Sequence, residues 1–442
     1  MKVNLLPLIF FFIAISTFAQ VRFEGNFTGK GIAFSGEESP FWMHSNQRGR
    51  MNELSNVSSL LGGIASYNIT ENARFSLGAG VLYQDGYIDD LQLDEAYLGF
   101  QNTWLAVHVG RKQRADLYRG LSATNENIIW SLNARPMPGI SLRTTRPVMF
   151  WPEAGLGFQA SLEEFITDDD RHVQDTRVHH KSFHLVLDKP KFQVSVGLEH
   201  FAQWAGTSPT FGKLPGSFDD YLRVFSGKEG SDDVEGQEVN ALGNHLGSYV
   251  AGVKTSIQNY NVEFIYNHIF EDGSGRRLGN TPDGRYGIFI TDKEPGKWVD
   301  AFMYEFFYTK HQSRTSSGTD GADNYFNNNL YRSGWTYENR ILGVPFIFLD
   351  EERFRVINNI VAAHHVGISG KGFNMPYRLL TSYRKNYGAK GGGQLRSDIL
   401  STYLDLNVYQ SILNVYLLLG ADFSTIASPN FAAGVQVSRV LF

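Results

Sequence analysis

Apolar residues recur at every second position along almost the whole chain. In extended backbone that alternation puts one set of side chains on each face of a sheet. Phe192, Val194, Val196 and Leu198 share one face, with Gln193, Ser195, Gly197 and Glu199 on the other. Tyr260, Val262, Phe264 and Tyr266 alternate with Asn261, Glu263 and Asn267. Leu413, Val415, Leu417, Leu419 and Ala421 oppose Asn414, Tyr416, Gly420 and Asp422. A soluble sandwich buries its apolar set against a second sheet. A membrane barrel turns that set to lipid and keeps the polar set inside.

Connection lengths separate the two. Tight links fall at Asn102, Lys189-Pro190, Gln258-Asn259 and Ser411-Ile412, and long polar ones at 35–56, 112–138, 167–180, 203–245 and 312–332. Short and long alternate through the first half, which is the pattern of short periplasmic turns and long extracellular loops. Strand candidates number roughly 19, whereas bacterial barrels have an even count. Taking the run RYGIFIT (285–291) as a hairpin inside a loop leaves about 18. The expected fold is therefore all-β, a transmembrane antiparallel β-barrel of about 18 strands.

Composition agrees. Aromatic residues make up 14% of the chain, with 33 Phe, 21 Tyr and 45 Gly, yet mean hydropathy is only −0.25. Many aromatics without long apolar runs suit a wall in which every second residue meets lipid. The one long apolar run, Leu5 to Ile15 behind Lys2, reads as a signal peptide over 1–19 with cleavage before Gln20, leaving 20–442 as barrel and loops. Cysteine is absent, which excludes disulfides, thiol chemistry and a cysteine-linked lipid anchor. A net charge of −5 argues against nucleic acid as a partner. The aromatic final residue, Phe442, fits the last strand of an outer-membrane barrel. Val440 shares its face, with Ser438 and Gln436 interrupting the apolar set.

Six runs together carry a family resemblance: SLNARP (Ser131–Pro136), LEHFAQWAG (Leu198–Gly206), SFDDYLRVFSG (Ser217–Gly227), GNHLGSY (Gly243–Tyr249), NNNLYRSGWTYENR (Asn327–Arg340) and FNMPYRLLTSYRKNYG (Phe373–Gly388). As a set and in this order, the chain resembles the Wzi-type capsule assembly proteins. The resemblance implies an 18-strand outer-membrane barrel that acts as a lectin and holds capsular polysaccharide or exopolysaccharide at the cell surface. Enterobacterial members carry a periplasmic helical bundle before the barrel. Here strand-like sequence begins at Val21, so the bundle is expected to be missing. The expected partners are surface polysaccharide, outer-membrane lipid and polysaccharide-export machinery, with no cofactor and no metal.

The 203–245 segment reads as the longest loop. Ser217 with Asp220 fits a helix start, followed by Tyr221, Leu222, Val224 and Phe225. We expect a short amphipathic helix folded into the barrel mouth as a plug or sugar platform. Sugars are held by aromatic faces, with carboxylates, amides and Arg taking hydroxyls. Such groups near the upper ends of strands are Glu126, Asn133, Arg135, Glu199, Gln203, Trp204, Tyr221, Asn244 and His245, together with Trp42. By phase, Glu199 and Gln203 point into the lumen, while His200 and Trp204 point outward. A girdle aromatic is the plainer reading of Trp204.

Catalytic readings are thin. Asp168-Asp169-Asp170 and Asp219-Asp220 could serve a hydrolase but lie in loops rich in acids. His179-His180 and His364-His365 are adjacent, so in a strand their side chains point to opposite faces and are not read as ligands. Asp320-Gly-Ala-Asp323-Asn324 lacks calcium-loop spacing. The chain is expected not to be an enzyme. The main rival is a porin or sugar channel, decided by whether the 203–245 loop and inward aromatics such as Trp104, Tyr403 and Tyr416 fill the pore.

Overall fold

The computed structural model describes residues 21–86, 90–230, 241–271, 273–313, 323–350, 355–390 and 396–442. The expected signal peptide and its cleavage point lie outside them, as does Asp320 of the calcium-like run. The described chain forms a closed antiparallel barrel of 18 strands. In chain order they are β1 (Val21–Phe34), β2 (Val57–Thr70), β3 (Ala73–Gln84), β4 (Asp90–Gln101), β5 (Leu105–Arg111), β6 (Gly139–Thr144, resuming as Val148–Trp151), β7 (Leu156–Ile166), β8 (Arg177–Lys189), β9 (Phe192–Trp204) and β10 (Asn244–Ile257). The second half comprises β11 (Tyr260–Phe270), β12 (Gly284–Asp292), β13 (Ala301–Tyr308), β14 (Val361–Gly372), β15 (Met375–Asn386), β16 (Ser397–Gln410), β17 (Asn414–Ser424) and β18 (Asn430–Val440). Pairing of β1 with β18, from Asn26 opposite Val440 to Phe34 opposite Ala432, closes the wall and leaves no open edge.

Two expectations about the wall need correction. The run 285–291 is not a loop hairpin but β12, paired on both sides with β11 and β13. The wall still has 18 strands, because 139–144 and 148–151 are successive parts of one strand, β6, whose ladder breaks across 145–147. Pro147 has no N–H to donate there. The phase of the last strand is also shifted by one. Phe431 and Val435 are exposed on the outward face of β18, while Gln436 lines the lumen. The Phe442 ring lies over Gly25, where a Cβ would come within 2.7 Å of it.

Every connection at one end is short: 71–72, 102–104, 152–155, 190–191, 258–259, 293–300, 373–374 and 411–413. The long ones gather at the other end: 35–56, 112–138, 167–176, 205–243, 271–283, 309–360 and others. The longest is 309–360, not the 203–245 segment, because no barrel strand interrupts it. The outward face is apolar and exposed around the wall, as at Phe75, Leu77, Leu98, Val109, Phe183, Val196, Phe264 and Leu419. Such a belt is a liability in water and a requirement in lipid. The inward face buries polar groups: Ser141, Glu163, Glu199, Asn267, Arg285, Glu305 and Ser401.

Two loop helices matter below. α1 (Phe41–His44) follows Pro40, and the Asp422 carboxylate of β17 accepts from the Phe41 N–H at 2.9 Å. α2 (Phe218–Ser226) opens on a capping box. The Ser217 hydroxyl accepts from the Asp220 N–H at 3.2 Å, and the Asp220 carboxylate accepts from the Ser217 N–H at 2.8 Å. Gly227 ends the helix in the left-handed conformation, φ 64°.

Candidate functional site

The lumen is filled, but by loops other than the expected one. Segments 35–56, 112–138 and 323–350 fold inward and share a hydrophobic core with the wall. Their own backbones pair with one another. The Ser131 N–H donates to the Leu342 carbonyl at 2.7 Å, Val344 to Ile128 at 2.9 Å and Arg48 to Leu132 at 2.7 Å. Trp130 stacks on Phe201 of β9 at 5.4 Å and meets Trp335 edge-on at 6.0 Å. The Trp335 indole N–H donates to the Ile129 carbonyl at 2.7 Å, and that of Trp42 to the Ser382 hydroxyl of β15 at 3.0 Å. Satisfying each buried indole this way leaves the rings free to contribute apolar area. Tyr403 is buried in this core and Tyr416 packs on it, whereas Trp104 sits exposed in the 102–104 turn.

The 112–138 loop reaches deep. Its Tyr118 hydroxyl donates to Glu263 of β11 at 3.2 Å, and the Leu121 carbonyl accepts from His365 of β14 at 2.8 Å. The approach is close enough to require glycine, since a Cβ on Gly367 would lie 2.3 Å from the Leu121 carbonyl oxygen. A cavity of about 260 Å³ remains under the 35–56 loop, edged by Lys30, Arg48, Arg50 and Arg378.

Charge fastens the same loop. Glu126 joins Arg114 at 2.5 Å and Arg143 of β6 at 2.8 Å, and Arg114 also reaches Glu163 of β7 at 2.5 Å. Burial opposes ionisation of Glu126, but Arg143 and then Arg114 outweigh it and hold its pKa below the ordinary 4.5. A carboxylate depressed in the fold stabilises it fully above its unfolded pKa, and that contribution is lost as pH falls through the folded value. Acidification below pH 4.5 should therefore free the 112–138 loop before the wall. Hydrogen exchange is expected to rise at 121–130 while the strands stay protected, and Glu126→Gln should remove most of that acid response. Equal exchange in the variant and the wild type across that range would contradict this.

At the loop end, 167–176, 205–217 and 328–336 are tied into a dome. Val173, Leu214, Leu330 and Tyr331 form a small core of their own. The Tyr331 hydroxyl donates to the Ala205 carbonyl at 3.2 Å, the His172 N–H to the Ser333 hydroxyl at 2.9 Å, and Gln174 bridges Thr207. Gln174 and Asn329 remain exposed on this dome.

The sequence matches the family described as capsule assembly protein Wzi over residues 26–347. The chain belongs to the Wzi capsule assembly family. Among solved structures it is similar to Wzi of Escherichia coli, an outer-membrane protein involved in group 1 capsule assembly and described as a carbohydrate-binding β-barrel. Identity is 14%, the TM-score is 0.61, and the match covers 98% of this chain and 87% of that one. OccK5 and OccK11 of Pseudomonas aeruginosa, each 11% identical, match at TM-scores of 0.46 and 0.47, covering 96% of this chain and 98% and 96% of theirs. No curated protein sequence matches the chain.

Within this Wzi-family barrel, the residues singled out from sequence divide by face of the wall and do not converge on one surface. Asn133 lies between two plug loops, accepting from the Asn46 N–H at 2.9 Å and donating to the Ile341 carbonyl at 3.0 Å. Arg135 donates to Gln92 at 2.7 Å and pairs with Glu338 at 2.8 Å. Gln203 donates to the Gly334 carbonyl at 2.9 Å and accepts from Asn244 at 2.8 Å. Glu199 faces the lumen, 3.6 Å from His180 and from His184. Trp42, Asn133, Arg135, Glu199, Gln203, Trp204 and Asn244 are all buried. Glu126 belongs to the ion-pair cluster described above. Trp204, Tyr221 and His245 lie on the outer side of the wall, Trp204 beneath Tyr221 at 5.6 Å and under the Arg177 guanidinium at 5.0 Å. α2 is thus not in the barrel mouth. It rests on the outer face of β8 and β9, because Val224, Tyr221 and Leu242 cover the outward Ala202 and Trp204.

Asp168, Asp169 and Asp220 of the acidic runs are engaged within the chain. Asp168 accepts from Arg111 and from the Tyr337 hydroxyl at 2.6 Å, Asp169 accepts from the Glu338 N–H at 2.9 Å, and Asp220 closes the α2 cap. The paired histidines split across the wall. His180 meets Glu163 inside and His179 meets Glu164 outside, each at 2.6 Å. What sequence reading missed is the plug core, Ile128 to Trp130 with Trp335 to Ile347. The available signal was a nominal loop carrying Trp335, Tyr337, Ile341, Leu342, Val344, Phe346 and Ile347 in thirteen positions, too apolar for solvent.

Proposed function

We propose that this barrel binds surface polysaccharide non-covalently at its loop end and holds it at the outer face of a Gram-negative outer membrane, without catalysis. Supporting this is the filled lumen. Barrels of about 16–18 strands leave an aqueous channel when empty, whereas here three loops pack a hydrophobic core inside one. That arrangement suits a holder of polymer more than a conduit. Family membership supports the same reading. In it, the exposed dome around Gln174 and Asn329 meets sugar hydroxyls. Asn133, Arg135, Gln203 and Asn244 fix the loops beneath, Glu126 and Glu199 charge the lumen network, and Trp204, Tyr221 and His245 seat α2. Weak single contacts suffice, because a repeating polymer engages many barrels at once. The export machinery would deliver the polymer to this face.

Deleting the gene is expected to shift stained polysaccharide from the cell-bound to the shed fraction. Complementation with a Gln174→Ala/Asn329→Ala chain should restore the barrel but only part of the retention. Unchanged retention in the deletion strain would refute the anchoring role.

A further inference from the structure

We infer that α2 is an interfacial helix whose outer stripe, Phe218, Leu222 and Phe225, inserts among the lipids of the leaflet at the loop end of the barrel. The inference rests on the membrane reading of the wall and extends it to a loop element.

The wall beneath α2 is unusual for its position. Outward residues lower on β8 and β9 are apolar and exposed, as at Phe183 and Leu198. One step up, the outward set turns polar: Lys181 and His200, then His179 opposite Ala202, with Glu164 of β7 and His245 of β10 alongside. Facing hydrocarbon uncovered, these groups would be costly. They bond to one another, His179 to Glu164 at 2.6 Å and His200 to His245 at 2.8 Å, and α2 packs over His179 and Lys181. The Lys181 ammonium donates to the Phe225 carbonyl and lies 3.9 Å from the Phe225 ring. The His179 ring meets Tyr221 at 5.7 Å and Phe225 at 5.3 Å. The helix therefore has one face committed to the wall, through Val224 and Tyr221.

A second apolar face adjoins it, with Phe225 at the edge the two faces share. Phe218, Leu222 and Phe225 stand at i, i+4 and i+7, which is one stripe along a helix, and they are 72%, 49% and 40% exposed. Asp219, Arg223 and Ser226 lie to the side. An amphipathic helix with such a stripe lies in the plane between headgroups and chains. The neighbouring surface identifies the occupant. Phe225 ties the stripe to the wall at Lys181 and His179, and the outward neighbours of those two residues are apolar and exposed, Leu162 and Ile166 on β7 and, one step down, Phe183 and Leu198. Lipid that wets those residues would meet the stripe first at Phe225. Sugar recognition would need polar groups interleaved with the rings, and the stripe contains none.

The cysteine-free chain allows single nitroxide labels at 183, 218, 219 and 222 in the full protein, reconstituted in phospholipid vesicles. Collision rates with oxygen and with a water-soluble nickel chelate report the surroundings. We expect oxygen to dominate at 183, 218 and 222 and nickel at 219, with the oxygen-to-nickel ratio several-fold higher at 222 than at 219. Oxygen dominance at 183 with nickel dominance at 218 and 222 would overturn the inference and leave the membrane reading intact. Nickel dominance at 183 would overturn both. Exclusion of both reagents at 218 and 222 would mean that a second copy or another protein covers the stripe, and would also overturn it. Heat-dependent gel migration checks that each labelled barrel is folded. An unlabelled Phe218→Asp/Leu222→Asp chain, expected to lose protection from proteolysis at α2 only when lipid is present, gives a readout that does not depend on the label.

Discussion

Replacing residues 323–347 with a short Gly/Ser linker is expected to turn a silent barrel into a conducting one. The wall alone has the strand count of a water-filled channel, so what blocks it must be the loops inside. Segment 323–347 contributes Tyr325, Phe326, Trp335, Tyr337, Ile341, Leu342, Val344, Phe346 and Ile347 to the lumen core, all of them buried. Trp335 is its pivot, touching Trp130 and Phe201 and donating to Ile129. In planar bilayers the natural chain should show no large steady current steps, and the linker variant should show them. Trp335→Ala alone should cost about 3–5 kcal/mol, the range for truncating a large buried aromatic, and give intermittent openings. Large steady steps from the natural chain would remove the plug and restore the channel reading. A folded linker variant that stays silent would assign the block to 35–56 and 112–138 alone.

The wall was legible because its code is local. Alternation from Phe192 to Leu198 or Leu413 to Ala421 needs only neighbours two apart, and the tight links at 190, 258 and 411 fall where strands must reverse. Local signals conflict at 285–291, where β12 sits between two connections long enough to disguise it. The plug was not legible, since its contacts join residues about two hundred positions apart, as Ser131 to Leu342 and Trp335 to Ile129. Nothing in either loop says which apolar residues turn inward. The polar candidates failed to separate for a different reason. Asn133, Gln203 and Asn244 use, on backbone carbonyls and on each other, the same donors and acceptors that would hold a sugar. Residue type cannot distinguish the two partners. α2 was found from its capping box, but its side of the wall depends on Ala202 and Trp204 pointing outward, a phase that only the closed barrel fixes.

Arg285→Met and Glu305→Leu should each destabilise the barrel strongly, and the double substitution should cost clearly less than their sum. Both side chains are fully buried, 2.7 Å apart on adjacent strands β12 and β13. Arg285 also donates to the Ser122 hydroxyl and the Asn125 carbonyl, and Glu305 accepts from the Ser122 hydroxyl at 2.9 Å and the Ala123 N–H at 2.6 Å. The pair is thus the clasp that holds residues 122–125 of the plug against the wall. Removing one partner strands a buried charge, at about 3–5 kcal/mol. Removing both strands no charge, and leaves neutral groups to find new partners, the Ser122 and Ala123 donors and the Asn125, Glu126 and Asn267 acceptors, at about 1–3 kcal/mol for each that stays buried and unpaired. Urea unfolding of the three variants in one detergent gives the coupling directly. Hydrogen exchange locates it, and the extra exposure should concentrate at 121–126 rather than along β12 and β13. Additive losses would show that the two charges act independently. Exchange spread evenly over both strands would show that the pair braces the wall and not the loop. A clasp on the loop, by contrast, lets 112–138 open as a unit of its own while the wall stays paired, so that whatever loosens this loop exposes the lumen.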